Sequence, residues 1–184
     1  NTWSGVLTTS GTAPTAREKH TSVVYGDSMV VFGGNDGGYL NDLHKLNLTT
    51  NTWSGAINTT GTKPTARHAH TSVVYGDFMI VFGGYDGGGS KNDLHTLTLS
   101  TNTWSGVLTT SGTAPTARGY HTSVVYGDYM FVFGGLGNLN DLHKLNLTTN
   151  TWSGAITTTG TKPTARYAHT SVVHGDYMFV FGGT

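Results

Sequence analysis

The sequence predicts an all-β protein made of four copies of one four-stranded unit, and two observations carry the prediction. Asn-Thr-Trp recurs at Asn1, Asn51, Asn102 and Asn150, which divides the chain into repeats 1–50, 51–101, 102–149 and 150–184. Every repeat then passes the same landmarks in the same order: Trp-Ser-Gly, a Thr-rich stretch, Pro-Thr-Ala-Arg, His-Thr-Ser-Val-Val, Gly-Asp, Met and a Phe-Gly-Gly doublet. Units of this length, apolar inside and polar outside, cannot bury their faces alone and must stack radially or linearly on their neighbours.

In the first repeat, Thr21 to Tyr25 and Met29 to Phe32 are β-branched or aromatic runs joined through Gly26-Asp27, a pair suited to a tight hairpin. Both runs are apolar on both faces, the pattern of inner strands covered on two sides. Leu43 to Leu48 mixes Leu with His, Lys and Asn and reads as a half-exposed third strand. Leu43 and Leu46 are three apart, as on a helix, but the segment between its Gly-rich loop and the Thr49-Thr50-Asn51 turn is too short for one. The fourth, outer strand opens at Trp53.

The repeats recur at periods of 50, 51 and 48 residues. Between Gly-Gly and Asn-Asp-Leu-His lie six residues in the first repeat (35–40), seven in the second (85–91) and four in the third (136–139). Without those loops every period is 44, so all length variation sits in one loop, and such variation gathers on one face of a repeat array, often the binding face. A second periodicity overlies the first. Residues 1–17 and 102–118 are identical, and 51–67 differs from 150–166 only where Asn58 becomes Thr157, the signature of a duplicated two-repeat cassette or an engineered consensus.

The double glycines (Gly33-Gly34, Gly83-Gly84, Gly134-Gly135, Gly182-Gly183), the aromatic residues upstream of them (Tyr25, Tyr75, Tyr126, with His174 in the last copy) and the outer-strand tryptophans (Trp3, Trp53, Trp104, Trp152) form one pattern. Together with Arg-x-x-His and Asn-Asp-Leu, this pattern resembles the kelch repeat of β-propellers over essentially the whole chain. The resemblance implies one kelch-type propeller domain, or a segment of one, over 1–184, with the glycines and tryptophans in structural roles. It also implies that the N-terminal strand at Trp3 completes the last blade, which has no Asn-Asp-Leu-His strand of its own.

Composition excludes several function classes. The chain carries 10 Lys+Arg against 10 Asp+Glu and is only 11% charged, where roughly 25% is usual. With no basic run, the electrostatic attraction that dominates binding to nucleic acid and to anionic membranes is missing. No apolar run approaches the roughly 20 residues needed to span a bilayer. The absence of cysteine removes disulfides, thiolate metal sites and a Cys nucleophile, and with them the copper chemistry that galactose-oxidase-like kelch propellers support through a Tyr crosslinked to Cys.

Seven of the nine histidines are repeat-equivalent: His20, His70, His121 and His169 before the first strand, His44, His95 and His143 in the third. One His per unit spreads ligands around an array instead of converging them within about 2.1 Å of an ion, so no metal or other cofactor is expected. Glu18 is the single glutamate, and the aspartates recur in Gly-Asp turns, Asn-Asp-Leu and Asp-Gly-Gly, leaving no singular acid or base for hydrolysis. The expectation is therefore a protein without catalytic residues.

Arg17, Arg67, Arg118 and Arg166 each stand three residues before a repeat-equivalent His. Repetition favours clamps on backbone carbonyls or carboxylates, and the functional alternative is an arginine ring that receives an acidic peptide, as in some kelch substrate adaptors. Tyr39, Tyr85 and Leu136 are the irregular residues of the variable loops, where exposed aromatic rings anchor peptides or stack on sugars. Sequons stand at Asn47, Asn58 and Asn146, as many as this Thr-rich composition gives by chance. The sequence thus predicts a binding or scaffold propeller for a protein, peptide or glycan. Its competitor is a structural or filament-forming repeat protein that assembles with itself, and the setting leans to the cell surface or exterior.

Overall fold

Strands form where the β-branched and aromatic runs lie. The computed structural model describes residues 2–184, and every regular element in it is a strand. The first sheet contains β1 (Ser10–Thr12), β2 (Thr21–Tyr25), β3 (Ser28–Asn35), β4 (Tyr39–Asn47) and β5 (Thr52–Ala56), in the order β1-β5-β4-β3-β2. The second repeats this order with β6 (Thr60–Thr62), β7 (Thr71–Tyr75), β8 (Phe78–Tyr85), β9 (Ser90–Thr98) and β10 (Thr103–Val107). The third does so with β11 (Ser111–Thr113), β12 (Thr122–Tyr126), β13 (Tyr129–Gly135), β14 (Leu139–Asn146) and β15 (Thr151–Ala155). The fourth is the hairpin β16 (Thr170–His174) and β17 (Tyr177–Phe181).

Two expectations are corrected. The complete blades have five strands, because a short piece of the Thr-rich stretch adds in parallel outside the Trp strand, with Gly11 opposite Trp53. A Cβ on Gly11 would lie 2.1 Å from the Trp53 carbonyl oxygen, so only glycine lets the chains meet there. The N-terminal segment, in turn, does not complete the last blade. Residues 2–6 carry no strand, Trp3 is 98% exposed, and β17 pairs with β16 alone. The Trp strands β5, β10 and β15 each pair with an Asp-Leu-His strand, β4, β9 or β14, and no such strand stands beside β17 among the described residues.

The core lies between sheets. Val30, Phe32 and Leu43 of the first sheet pack on Met79, Val81, Leu97, Leu99 and Trp104 of the second, with Phe32 and Trp104 rings 5.0 Å apart. Val73, Ile80, Phe82 and Leu94 meet Met130, Val132, Leu145 and Trp152 in the same way. β2, β7, β12 and β16 stand side by side, and their Thr and Ser hydroxyls face one open groove of about 390 Å³. Adjacent inner strands are joined by a repeated polar contact. Thr21 Oγ1 meets His70 Nε2 at 2.9 Å and Ser72 Oγ at 2.6 Å, and Thr71 and Thr122 do the same with His121/Ser123 and His169/Ser171. At the other end of the strands Tyr25, Tyr75 and Tyr126 donate to Asp77, Asp128 and Asp176 of the following sheet.

Each arginine rivets its own sheet. Arg67 is fully buried and donates to both carboxylate oxygens of Asp93 at 2.7 and 2.8 Å, to the Gly83 carbonyl, and to Thr65. His95 Nε2 shares the second oxygen of Asp93 at 3.0 Å. Arg17–Asp42–His44 and Arg118–Asp141–His143 repeat the arrangement. Burial alone would raise these carboxyls, but hydrogen bonds from the arginine and then the histidine outweigh it, holding Asp42 and Asp141 at about 2 and Asp93 well below its usual range.

Two measurements probe this construction. Gly83 has φ +64°, and a Cβ there would stand 2.8 Å from the Arg118 carbonyl oxygen and 3.0 Å from His121 Cε1. Gly83→Val should therefore lower the unfolding free energy by about 3 kcal/mol. Gly76→Ala, with φ +59° and nothing within 4 Å, should cost only about 1 kcal/mol in the same urea titration. Equal costs would contradict the close approach. The second measurement is pH dependence. Burial, reinforced by Arg67 and Arg118, holds the His70 and His121 imidazoles down to about 3. An unfolded histidine titrates near 6.5, so below that pH the unfolded chain binds more protons, and stability falls from pH 6.5 towards 3. Between pH 7 and pH 5 the two residues should remove about 4 kcal/mol. Urea midpoints that do not change over that interval would contradict it.

Candidate functional site

The Arg-x-x-His loop has a fixed frame and variable contents. Its two middle positions are Glu18-Lys19, His68-Ala69, Gly119-Tyr120 and Tyr167-Ala168 in the four copies. The second of each pair is left-handed, with φ of 55°, 54°, 60° and 55° for Lys19, Ala69, Tyr120 and Ala168, a conformation that few side-chain-bearing residues adopt. A belt of backbone bonds between sheets holds them there: Ala69 N–H to the Lys19 carbonyl, Tyr120 to Ala69 and Ala168 to Tyr120, each 2.9 Å. The first of each pair is bridged to the residue that follows the glycine doublet. Glu18 pairs with Asn35 and His68 with Tyr85 through reciprocal backbone bonds of 2.9–3.0 Å, and the Leu136 N–H donates to the Gly119 carbonyl. The variable loops and the variable pair are thus parts of one surface.

That surface is aromatic. The Tyr39 ring stacks on His68 with centroids 4.9 Å apart and planes 22° from parallel. Tyr85 meets both, 6.0 Å from Tyr39 and 5.7 Å from His68. Tyr120 lies edge-on to His68 at 6.2 Å and to Tyr167 at 6.1 Å. Lys19 Nζ stands 5.8 Å from the Tyr120 centroid, so the first sheet's loop reaches the third's across the arc. Glu18 ion-pairs with Lys19 at 2.7 Å; this lowers the carboxyl and raises the ammonium, so both are charged at neutral pH. Burial, then the nearby Lys19 charge, lowers the His68 imidazole, which stays neutral as a stacking partner.

Of the residues singled out in the sequence, Tyr39 and Tyr85 belong to this arc, and Leu136 lies half exposed on the third sheet's loop of the same kind. Arg17, Arg67 and Arg118 do not. Their forks are filled by Asp42, Asp93 and Asp141, which leaves an acidic peptide no free donor there. Arg166 has the same pose without a carboxylate. Asn47 and Asn146 use their side-chain oxygens to hold the following turns, while Asn58 is exposed. The pairs inside Arg-x-x-His escaped the sequence reading, although their signal was present: no two copies of an otherwise constant motif carry the same pair.

The KLHDC2/KLHL20/DRC7 Kelch-repeats domain profile matches residues 1–183. Kelch domain-containing protein 1 of Mus musculus is 36% identical over 159 residues, covering 73% of this chain and 39% of that protein. Acyl-CoA-binding domain-containing protein 5 of Arabidopsis thaliana is 35% identical over 135 residues, 72% of this chain and 20% of the relative. Host cell factor 2 of Homo sapiens is 32% identical over 137 residues, 73% and 17%. The chain therefore corresponds to well under half of each of these relatives. A match over almost every residue, repeated sheet by sheet in the architecture, makes this chain a member of the kelch-repeat family, whose domains typically bind other proteins.

Proposed function

We propose that the chain is a non-enzymatic binding module that takes a protein or peptide partner on the aromatic arc of Tyr39, His68, Tyr85, Tyr120 and Tyr167. The observation that carries this reading is that residues differing from copy to copy gather on one face, over a belt of backbone bonds that does not differ. Variation on a constant frame is how a repeat scaffold acquires a specific surface. Tyrosines are apt for the task, since a large rigid ring loses little entropy on binding and its hydroxyl finds a polar partner. Lys19 and Glu18 add one charge of each sign beside the rings.

A second reading, assembly between copies through exchanged strands, is favoured by one observation. Residues 2–6 have the sequence of the Trp strand β10, and differ from β5 and β15 only at Val6, yet stand unpaired, with Trp3 exposed. Mass by light scattering up to about 1 mM chain tests it: growth with concentration, abolished by Trp3→Ala, supports exchange, and a constant monomer mass removes it.

For the main reading, peptides selected by display against the whole chain supply the probe. The double variant Tyr39→Ala/Tyr120→Ala should weaken the selected binders more than tenfold, since each buried aromatic anchor contributes about 2 kcal/mol, with the melting temperature changed little. Binders that ignore both substitutions would overturn the assignment of this face. A glycan-array ligand lost on the same double substitution, with no peptide selected, would move the partner class to carbohydrate.

A further inference from the structure

The first and second interfaces between sheets differ at a residue whose side chain decides how much space is left between them. Lys45 of β4 and Thr96 of β9 hold the same place: they lie opposite Val30 and Ile80 of the adjoining strands, and their N–H groups donate to Ser54 and Ser105 of the Trp strands, each at 3.0 Å. The Lys45 side chain crosses to the second sheet, where its Nζ donates to the Leu99 carbonyl at 3.1 Å and to Asn102 Oδ1 at 2.8 Å. Burial lowers the Lys45 ammonium, and the Asp77 carboxylate acts against that. Thr96 is too short for the same crossing.

Between the second and third sheets a cavity of about 320 Å³ stands open, within the range of small-molecule sites, roughly 300–1,000 Å³. Its lining includes Thr96 and the counterparts of both residues that hold Lys45, namely Leu147 for Leu99 and Asn150 for Asn102. Leu99, whose carbonyl the lysine covers, is buried, whereas Leu147 is only half-buried. The buried side chains of Ile80 and Leu94 form the deep, apolar end; Asn150 is half-buried and Phe78 exposed, which sets them at the mouth. Asp128, the counterpart of Asp77, adjoins the lining: its carbonyl accepts the Leu147 N–H at 2.8 Å and its carboxylate accepts the Tyr75 hydroxyl at 2.6 Å. The cavity thus offers room for an aliphatic chain and, beside it, the acceptors and the carboxylate that suit an ammonium. It lies at the opposite end of the inner strands from the aromatic arc, since Tyr75 closes β7 and His68 precedes it.

We infer that this cavity binds a free, straight-chain primary alkylammonium, with its tail against Ile80 and Leu94 and its head at the Leu147 carbonyl and Asn150. Lys45 is the precedent, a methylene chain and an ammonium of this chain's own held by the equivalent acceptors. Burial of the methylenes supplies affinity, and the head supplies selectivity over an uncharged chain of the same length. A lysine of a partner polypeptide is the poorer occupant, because it enters ammonium first and carries its charge past the acceptors into the apolar end. A diamine has the same fault, with a second charge where the tail belongs.

The test is a titration of the whole, isotope-labelled chain with n-hexylamine at neutral pH, followed by amide chemical shifts. Saturable shifts at Ile80, Thr96 and Asn150 are expected, with a Kd of about 1 mM. Hexanol and hexamethylenediamine should each bind at least about fivefold more weakly. Thr96→Lys restores the side chain seen in the first interface, and should abolish the shifts while raising the melting temperature. No saturation by about 20 mM hexylamine, equal binding of hexanol or of the diamine, or shifts that survive Thr96→Lys would each overturn the proposal. Saturable binding of Nα-acetyl-lysine amide in preference to hexylamine would overturn it in favour of a partner's lysine. Should Thr96→Lys fail to fold, the comparison of hexylamine with hexanol decides the matter on the unaltered protein.

Discussion

One arginine in each repeat after the first joins two sheets and its own loop at once. The Arg67 carbonyl accepts the Gly34 N–H of the preceding sheet at 2.9 Å, its N–H donates to the Leu40 carbonyl of that sheet, and its guanidinium closes on Asp93 and Gly83 of its own. Arg118 and Arg166 make the same backbone pair with the sheets before them. Such a buried charge is tolerable only because its fork is filled, and the filling fixes the loop that carries it. The glycine doublet follows from this constraint: the arginine carbonyl and the next histidine come so near that a Cβ at Gly33 or Gly83 would collide with both. The buried neutral histidine and the Thr–Ser contact beside it lie in the same clasp.

The same rigidity frees two side chains per repeat for function. Once arginine and histidine are pinned at the ends of Arg-x-x-His, the intervening backbone has one route, through a left-handed residue bonded to its counterparts in adjacent sheets. A left-handed non-glycine residue costs of order 1 kcal/mol and persists only where its surroundings over-determine it, as this belt does. Sequence can then vary at those positions without moving the backbone. Lys19, Ala69, Tyr120 and Ala168 share one conformation across three unlike side chains.

Much of the fold was legible because repetition and alternation are both local signals. Thr21–Tyr25 is a strand over the residues its pattern marks, and the glycine doublets stand where the sheets come closest. The short parallel strands at Ser10, Thr60 and Ser111 were not legible, since three residues of Ser, Thr and Gly have no periodicity, and what places them is the close approach of Gly11, Gly61 and Gly112 to the Trp strands. The Trp3 strand was misread for the opposite reason. Its sequence equals that of β10, but a strand is made by an edge to pair with, and identical residues without that edge stay unpaired. Of the candidate surface, Tyr39 and Tyr85 were visible as irregularities in a loop of changing length. Tyr120 and Tyr167 were hidden inside a motif that otherwise reads as structural.

The dependence of local structure on a neighbour is clearest where equivalent residues differ in burial. Phe32, Phe82 and Phe133 lie between sheets and are almost fully buried, whereas Phe181, with the same local sequence, is 82% exposed. Val172 is 61% exposed where its counterparts Val73 and Val124 are buried. Gly182 has nothing within 4 Å, although Gly33, Gly83 and Gly134 are each in contact with the arginine carbonyl of the following sheet. Nothing in these residues changes; what changes is the presence of the next sheet. In an array whose cohesion resides in such nearest-neighbour contacts, stability is graded along the chain, highest in the second sheet with a partner on both faces and lowest in the two-stranded fourth.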